Sequence, residues 1–267
     1  MPETRRERLK LIAAYDGHPF RGWQSQTTGD AVQDHLEKAF ATLVGERVIV
    51  HGAGRTDAGV HALGQVAHAD VPWRKMEPKR WQFALNAHLP DGIRVVRATR
   101  APAHFHSRFH ACGKIYTYRI WNETYMHPLE IGRAWHVPSR LNLDALRQCA
   151  SLLEGTHDFA GFAANRGTPE TDTVRRVDRI EVIPRGALLV MRYQGEGFLY
   201  KMVRLLTGSL IRCAQLRADA AWLERLLADM RHPKTHFMAP AEGLYLTKVL
   251  YDAKSKSRTE RERSVIE

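Results

Sequence analysis

Between two strand-like runs, RVIVH at 47–51 and GQVAHADV at 64–71, the chain reads GAGRTDAGVHA at 52–62. Glycines at 52, 54 and 59 let the backbone adopt positive φ or approach another group closely. Among them stand one cation, one hydroxyl and one carboxylate: Arg55, Thr56 and Asp57. Loops held between rigid elements are where reactive side chains concentrate. The spacing matches neither the dinucleotide fingerprint nor the P-loop. Glycine content alone therefore leaves a solvated turn open beside a catalytic loop.

Working outward, residues 9–15 alternate and end at Asp16-Gly17, which predicts a strand and a turn. Val32, Leu36, Ala39, Phe40 and Leu43 fall at helical spacing, with Asp30 as N-cap and Gly45 closing the run. A helix is predicted over 78–89 and a strand over 93–98. Residues 114–121 (KIYTYRIW) and 244–251 (LYLTKVLY) alternate as half-buried strands. A helix over 143–153 takes Asn142 as its cap. Strands at 178–183 and 187–194 flank the turn signal Pro184-Arg185-Gly186. Amphipathic helices are predicted over 198–214 and 218–230. No direct repeat is visible, but both halves follow a strand, helix, strand, strand order. Strands mixed with helices in this way indicate an α+β fold with a mainly antiparallel sheet and helices on one side.

The boundaries that follow are 1–110 for a first half carrying the Asp57 loop and 111–252 for a second. Residues 253–267 (AKSKSRTERERSVIE) lack apolar periodicity and are expected to be a disordered tail.

The 267 residues are 44% hydrophobic and 26% charged, enough for a sizeable core. The formal net charge of +11 favours a polyanionic partner, of which nucleic acid is the commonest large kind. Cys112, Cys149 and Cys213 are dispersed and odd in number, with no CxxC, which argues against a disulfide framework or structural zinc. The apolar run near the N-terminus is too short for a signal sequence, and no stretch has the length of a membrane span. A cytoplasmic protein with reduced thiols fits these features.

GAGRTDAGVHA at 52–62 resembles the signature of the TruA family of tRNA pseudouridine synthases. Other blocks resemble the same family: Tyr15-Asp16-Gly17, Phe20, Gly22-Trp23-Gln24, Val32-Gln33, Leu36-Glu37, FHSRFHA at 105–111, and Lys114, Tyr116 and Tyr118. Gly155 to Phe162, Thr173-Val174-Arg175, GFLYKMVR at 197–204, Gly208 and APAEGLYL at 239–246 extend the likeness from about Leu11 to Tyr251. Two departures occur. Lys201 stands where the family pattern has histidine, and Leu205-Leu206-Thr207 replaces an asparagine-containing stretch.

The resemblance implies two pseudo-related halves sharing a continuous sheet, with a central active-site cleft. It implies isomerisation of uridine at positions 38, 39 and 40 of the tRNA anticodon stem-loop, by a homodimer without a cofactor. Asp57 matches the catalytic carboxylate and Arg204 the arginine paired with it. Tyr116 matches the active-site tyrosine and Leu244 an apolar wall of the uracil pocket. Arg55 and Arg108 match basic residues that hold the phosphate and displace the base. Without the resemblance, Arg204 reads as a helix-surface residue, and Tyr116 and Leu244 read as core.

His104, His106 and His110 contain a His-x-His pattern that could bind zinc, but no thiolate or carboxylate completes a ligand set, and the resemblance assigns no metal. Two rival functions share part of the pattern. An RNA-binding module or chaperone would share the charge without needing Asp57, Tyr116 and Arg204 together. A carboxylate-dependent hydrolase would need a second acid or a metal cluster, and no motif supplies one.

Overall fold

A computed structural model describes residues 5–165, 172–228 and 234–251. The expected tail at 253–267 and the last residues of the helix expected to reach 230 lie outside the described residues. The fold is α+β, with mostly antiparallel strands interleaved with helices along the chain, as the sequence pattern indicated. By internal packing it divides into two units, Met1–Cys112 with Leu246–Glu267, and Gly113–Tyr245.

The first unit is organised by β1 (Arg6–Tyr15), in which Leu9, Leu11, Ala13 and Tyr15 alternate into the core. This strand pairs antiparallel with β3 (His61–Pro72) and with β4 (Ile93–Ala101), while β2 (His51–Gly52) pairs with β3. The helices α1 (Val32–Val44) and α2 (Pro78–His88) pack through Phe40 and Trp81, fully buried rings with centroids 5.6 Å apart. The β1–β4 register slips between Ile12 and Ala13. Beside the slip, Asn86 takes up both the N–H and the carbonyl of Val95, and Gln82 donates to the carbonyl of Val96. Side chains of α2 thus satisfy strand groups near the irregularity.

Two boundaries differ from expectation here. The run 47–51 forms a strand only at its last residue, within β2. Its alternation reflects burial of Val48 and Val50, and the Val50 N–H is satisfied by the Glu37 carboxylate of α1 at 3.1 Å. The cap of α1 is Ala31 rather than Asp30, and the Asp34 carboxylate accepts the Ala31 N–H at 3.0 Å. That is the backward-reaching half of a capping box.

In the second unit β5 (Ala111–Trp121) pairs antiparallel with β9 (Leu188–Gly195), β9 with β8 (Val174–Arg185), and β8 with β7 (Gly155–Asp158). A short β6 (Trp135–His136) runs parallel to β5. The β8–β9 turn is Gly186-Ala187, one step beyond the Pro184-Arg185-Gly186 signal, with Gly186 supplying φ +61°. The helix α3 (Leu143–Leu152) is capped as expected by Asn142, whose side chain accepts from Asp144 and Ala145. Further along are α4 (Met202–Ala214) and α5 (Ala220–Ala228); β10 (Leu244–Tyr251) follows, its residues from Leu246 on belonging to the first unit.

The helix α4 departs most from the sequence reading. It begins at Met202, because Lys201 holds φ +60° and breaks the helical run expected from 198. It is also buried on every side except at Arg212, so it is a core helix and not an amphipathic one. Gly208 permits this. A Cβ there would lie 1.9 Å from the Phe237 carbonyl oxygen.

Candidate active site

The loop between β2 and β3 is fixed by groups from β1 and the segment after it. The buried Tyr15 hydroxyl lies 2.8 Å from Thr56 Oγ1. The Thr56 carbonyl accepts the Trp23 N–H at 3.1 Å, and the Gly54 carbonyl accepts from Gln65 at 2.7 Å. Asp57 opens a tight turn in which its carbonyl accepts the Val60 N–H at 3.1 Å and Gly59 takes φ +78°. Bonds of this kind place a side chain through its own backbone, which is how a reactive group is held in position before substrate arrives.

Close approach explains glycines that the motif alone could not. Gly22 sits at φ +86°, and a Cβ there would fall 2.5 Å from the Thr56 carbonyl oxygen. Gly52 lies against the Trp23 ring, 2.4 Å from where its Cβ would be. The Gly17 N–H donates to His61 Nδ1 at 3.1 Å, and an Asp16 carboxylate oxygen lies 3.2 Å from the same nitrogen. Burial pushes the Tyr15 phenol up to about 12, outweighing its hydrogen bond to Thr56. At neutral pH Tyr15 is therefore a clamp and not a base.

Arg55 is exposed and its Nε donates to the Gln24 side chain at 3.2 Å. Gln24 in turn donates to Gln33 at 2.9 Å, and Gln33 to Glu37 at 2.9 Å. Glu37 also receives the Val50 N–H at the start of the loop segment. A relay of side chains thus ties Arg55 to α1 and back to the strand feeding Asp57. The sequence marked Gln24, Gln33 and Glu37 by resemblance only, and gave them no role.

Arg108 is exposed, in a turn that precedes β5. The neighbouring Ser107 is fully buried; its hydroxyl donates to the His51 carbonyl at 2.6 Å and its N–H to His68 Nδ1 at 3.2 Å. Ser107 therefore pins the Arg108 turn to the residue directly before the Gly52 loop. Burial, with His106, Arg8 and His51 nearby, pushes the His68 imidazole down to about 3, so its ring is neutral and free to accept. His51, His68 and His106 form a packed cluster of rings. Among the described residues no group of three or more His, Cys, Asp or Glu is arranged to hold a metal ion.

In the second unit, Tyr116 and Tyr118 share a face of β5. Tyr116 is buried and meets the Phe198 ring edge-on at 5.3 Å. Tyr118 is fully enclosed, and its hydroxyl donates to the Pro240 carbonyl at 2.7 Å. Burial holds its phenol well above the ordinary tyrosine value, against the opposing pull of Arg204. Arg204 is buried on α4, where its Nε donates to the Ala239 carbonyl at 2.8 Å and its own carbonyl accepts the Ala239 N–H at 3.0 Å. Gly243 abuts the Tyr118 ring, and buried Leu244 follows it. Arg204, Tyr118 and the segment 239–244 are thereby brought together. Arg204 and Ala239 are thus bonded in both directions, through the side chain one way and the backbone the other.

Comparison with known proteins agrees with the resemblance seen in the sequence. A family model described as tRNA pseudouridine synthase matches residues 11–110 and 149–252. A protein of Akkermansia muciniphila named tRNA pseudouridine synthase A is 45% identical over 251 residues, 91% of this chain and 95% of that protein. One of the same name from Solidesulfovibrio magneticus is 46% identical, covering 92% of each chain. Another, from Methylacidiphilum infernorum, is 40% identical over 93% of this chain and 97% of its own. A chain in a solved structure, "Crystal Structure of a Cbf5-Nop10-Gar1 Complex", aligns over 89% of this chain and 48% of its own at 14% identity and a TM-score of 0.37, too slight a likeness to bear on fold or function.

Proposed function

The chain belongs to the tRNA pseudouridine synthase family, and on that premise we propose that it isomerises uridines 38, 39 and 40 of the tRNA anticodon stem-loop, with Asp57 as the essential carboxylate. Membership makes it an isomerase. The observation that most supports Asp57 is the restraint on its loop, where Thr56 is bonded through both its side chain and its carbonyl and Asp57 itself opens a closed turn. A carboxylate so held loses little orientational freedom on meeting the nucleoside.

The reaction breaks the N1–C1′ bond, turns the uracil, and forms a C5–C1′ bond, while the C5 hydrogen leaves as a proton to solvent and N1 takes up a proton. Nothing is oxidised or reduced. Asp57 serves as nucleophile at C1′ or at C6, or assists removal of the C2′ proton, three routes that share the need for an ionised carboxylate. Arg204 supplies the counter-charge that favours that ionised form. Tyr116 stacks on the uracil or moves a proton, and Leu244 forms an apolar wall. Arg55 holds the flipped nucleotide's phosphate, and Arg108 fills the place the base leaves in its stack, work that suits a planar guanidinium. Extruding a stacked base costs a few kcal/mol, which phosphate contacts across the substrate offset. The active form is a homodimer acting in the cytoplasm.

The test is pseudouridine mapping. An unmodified tRNA transcript is incubated with the protein, treated with carbodiimide, and read by primer extension. New stops at 38–40 support the reading. Tight binding without any stop would make the chain an RNA-binding protein that does not catalyse.

A further inference from the structure

At the α4–α5 corner of the second unit lies an open cavity of about 660 Å³, and none of the residues assigned above to the reaction lines it. Its wall carries Arg212, Arg217, Arg225, Trp222, Phe237 and Leu216. The Arg212 guanidinium carbon stands 4.0 Å from the centre of the Phe237 ring, and Trp222 meets that ring edge-on at 5.9 Å. Arg217 and Arg225 are exposed. The one acid in the wall, Asp219, has an oxygen engaged by the Trp222 N–H at 2.8 Å, which caps α5. Among the described residues none of the three arginines forms an ion pair. The only non-buried residue of α4 is Arg212, so the core helix surfaces at this cavity alone.

We infer that this cavity is an RNA-docking site that takes a nucleotide of the substrate other than the reacting one, its phosphate on the arginines and its base against Trp222 and Phe237. The chemistry favours RNA over other anions. Arginines answer a phosphodiester, and aromatic faces answer a base without regard to sequence. An open trough suits a polymer that enters and leaves, and the chain's net charge of +11 suits a polyanion. Arg204 and Arg212 lie on one helix, about 12 Å apart along its axis, so docking here fixes RNA on the same rigid element that carries Arg204. The inference rests on tRNA being the substrate.

The experiment uses the full chain and the double variant Arg217→Ala/Arg225→Ala, with the fold checked by circular dichroism. The expected result is a roughly tenfold rise in KM for tRNA at unchanged kcat, with the slope of log affinity against log salt reduced by about one to two. Ultraviolet cross-linking of wild type to tRNA should also yield a Trp222 peptide carrying RNA. Unchanged KM and salt slope would overturn the inference, as would a fall in kcat alone. Tight wild-type binding of uridine monophosphate or inorganic phosphate that the double variant loses would make this a small-molecule site. A changed oligomeric mass in the variant would make it a protein interface. If wild type forms no pseudouridine, the proposed function fails, while the binding and cross-linking arms still decide the cavity.

Discussion

The Tyr15 hydroxyl lies 2.8 Å from Thr56 Oγ1 in a buried contact, joining the last residue of β1 to the residue before Asp57. Each group is the other's partner, so removing one leaves the other in a site poorly served by water. Tyr15→Phe is expected to lower stability by about 1–3 kcal/mol. It should also lower kcat more than KM, because it loosens the loop's position and not the tRNA contacts. Chemical denaturation beside steady-state kinetics checks both, and a variant with unaltered kcat would deny the clamp its role.

Ser107 links the Arg108 turn to the His51 carbonyl at 2.6 Å. Ser107→Ala should therefore reduce turnover by about three- to tenfold, the equivalent of about one hydrogen bond. Combined with Arg108→Ala, the losses should fall short of additive, since both act through the position of one guanidinium. Additive losses in that double-mutant cycle would show that Ser107 supports only the fold.

Much of this arrangement was legible in the sequence because apolar alternation and helical spacing report burial directly. The strands at 9–15, 64–71 and 114–121 and the Asn142 cap appear where the pattern put them. The run 47–51 misled because Val48 and Val50 alternate into the core while the backbone bonds to Glu37 and not to a neighbouring strand. The helix expected from 198 misled because nothing in its composition announces that Lys201 adopts φ +60°. In the candidate site, Asp57 and its glycines stood out, but the bonds that fix them join residues 31 to 41 positions apart, as with Arg55 to Gln24 and Thr56 to Tyr15. A single sequence carries no record of such pairings. The choice between Tyr116 and Tyr118 was equally closed to periodicity, since both face the same side of β5.

His68 gives a pH dependence whose sign can be worked out. Its folded value is about 3, against about 6.5 for an unfolded histidine. Between those values the unfolded chain binds more protons, so stability is full above about pH 6.5 and is lost as pH falls toward 3. The groups around the ring are His51, His106 and Arg8, which oppose its charging, and Asp70, which favours it. Denaturation midpoints between pH 7 and 5, where carboxylates scarcely titrate, should fall in wild type and fall less in His68→Gln. Parallel curves would remove His68 from the account.

Arg204 Nε bonds to the Ala239 carbonyl inside the core at 2.8 Å. Lysine keeps the charge but lacks the second donor along the stem that lets arginine serve this carbonyl and still present a charged terminus. Arg204→Lys is expected to lose about 1–3 kcal/mol of stability, together with most activity, while tRNA affinity holds. Calorimetry and filter binding separate these effects, and a fully active, equally stable lysine variant would contradict the assignment.

The most direct test concerns Asp57. Pseudouridine formation expels the C5 hydrogen, so tRNA tritiated at C5 of uridine releases tritium to water at each turnover. Wild type should release it, while Asp57→Asn should release none and yet bind tRNA with near-normal affinity, because that affinity resides in phosphate contacts. Tritium release by Asp57→Asn at a rate near wild type would contradict the central claim that this carboxylate carries the reaction.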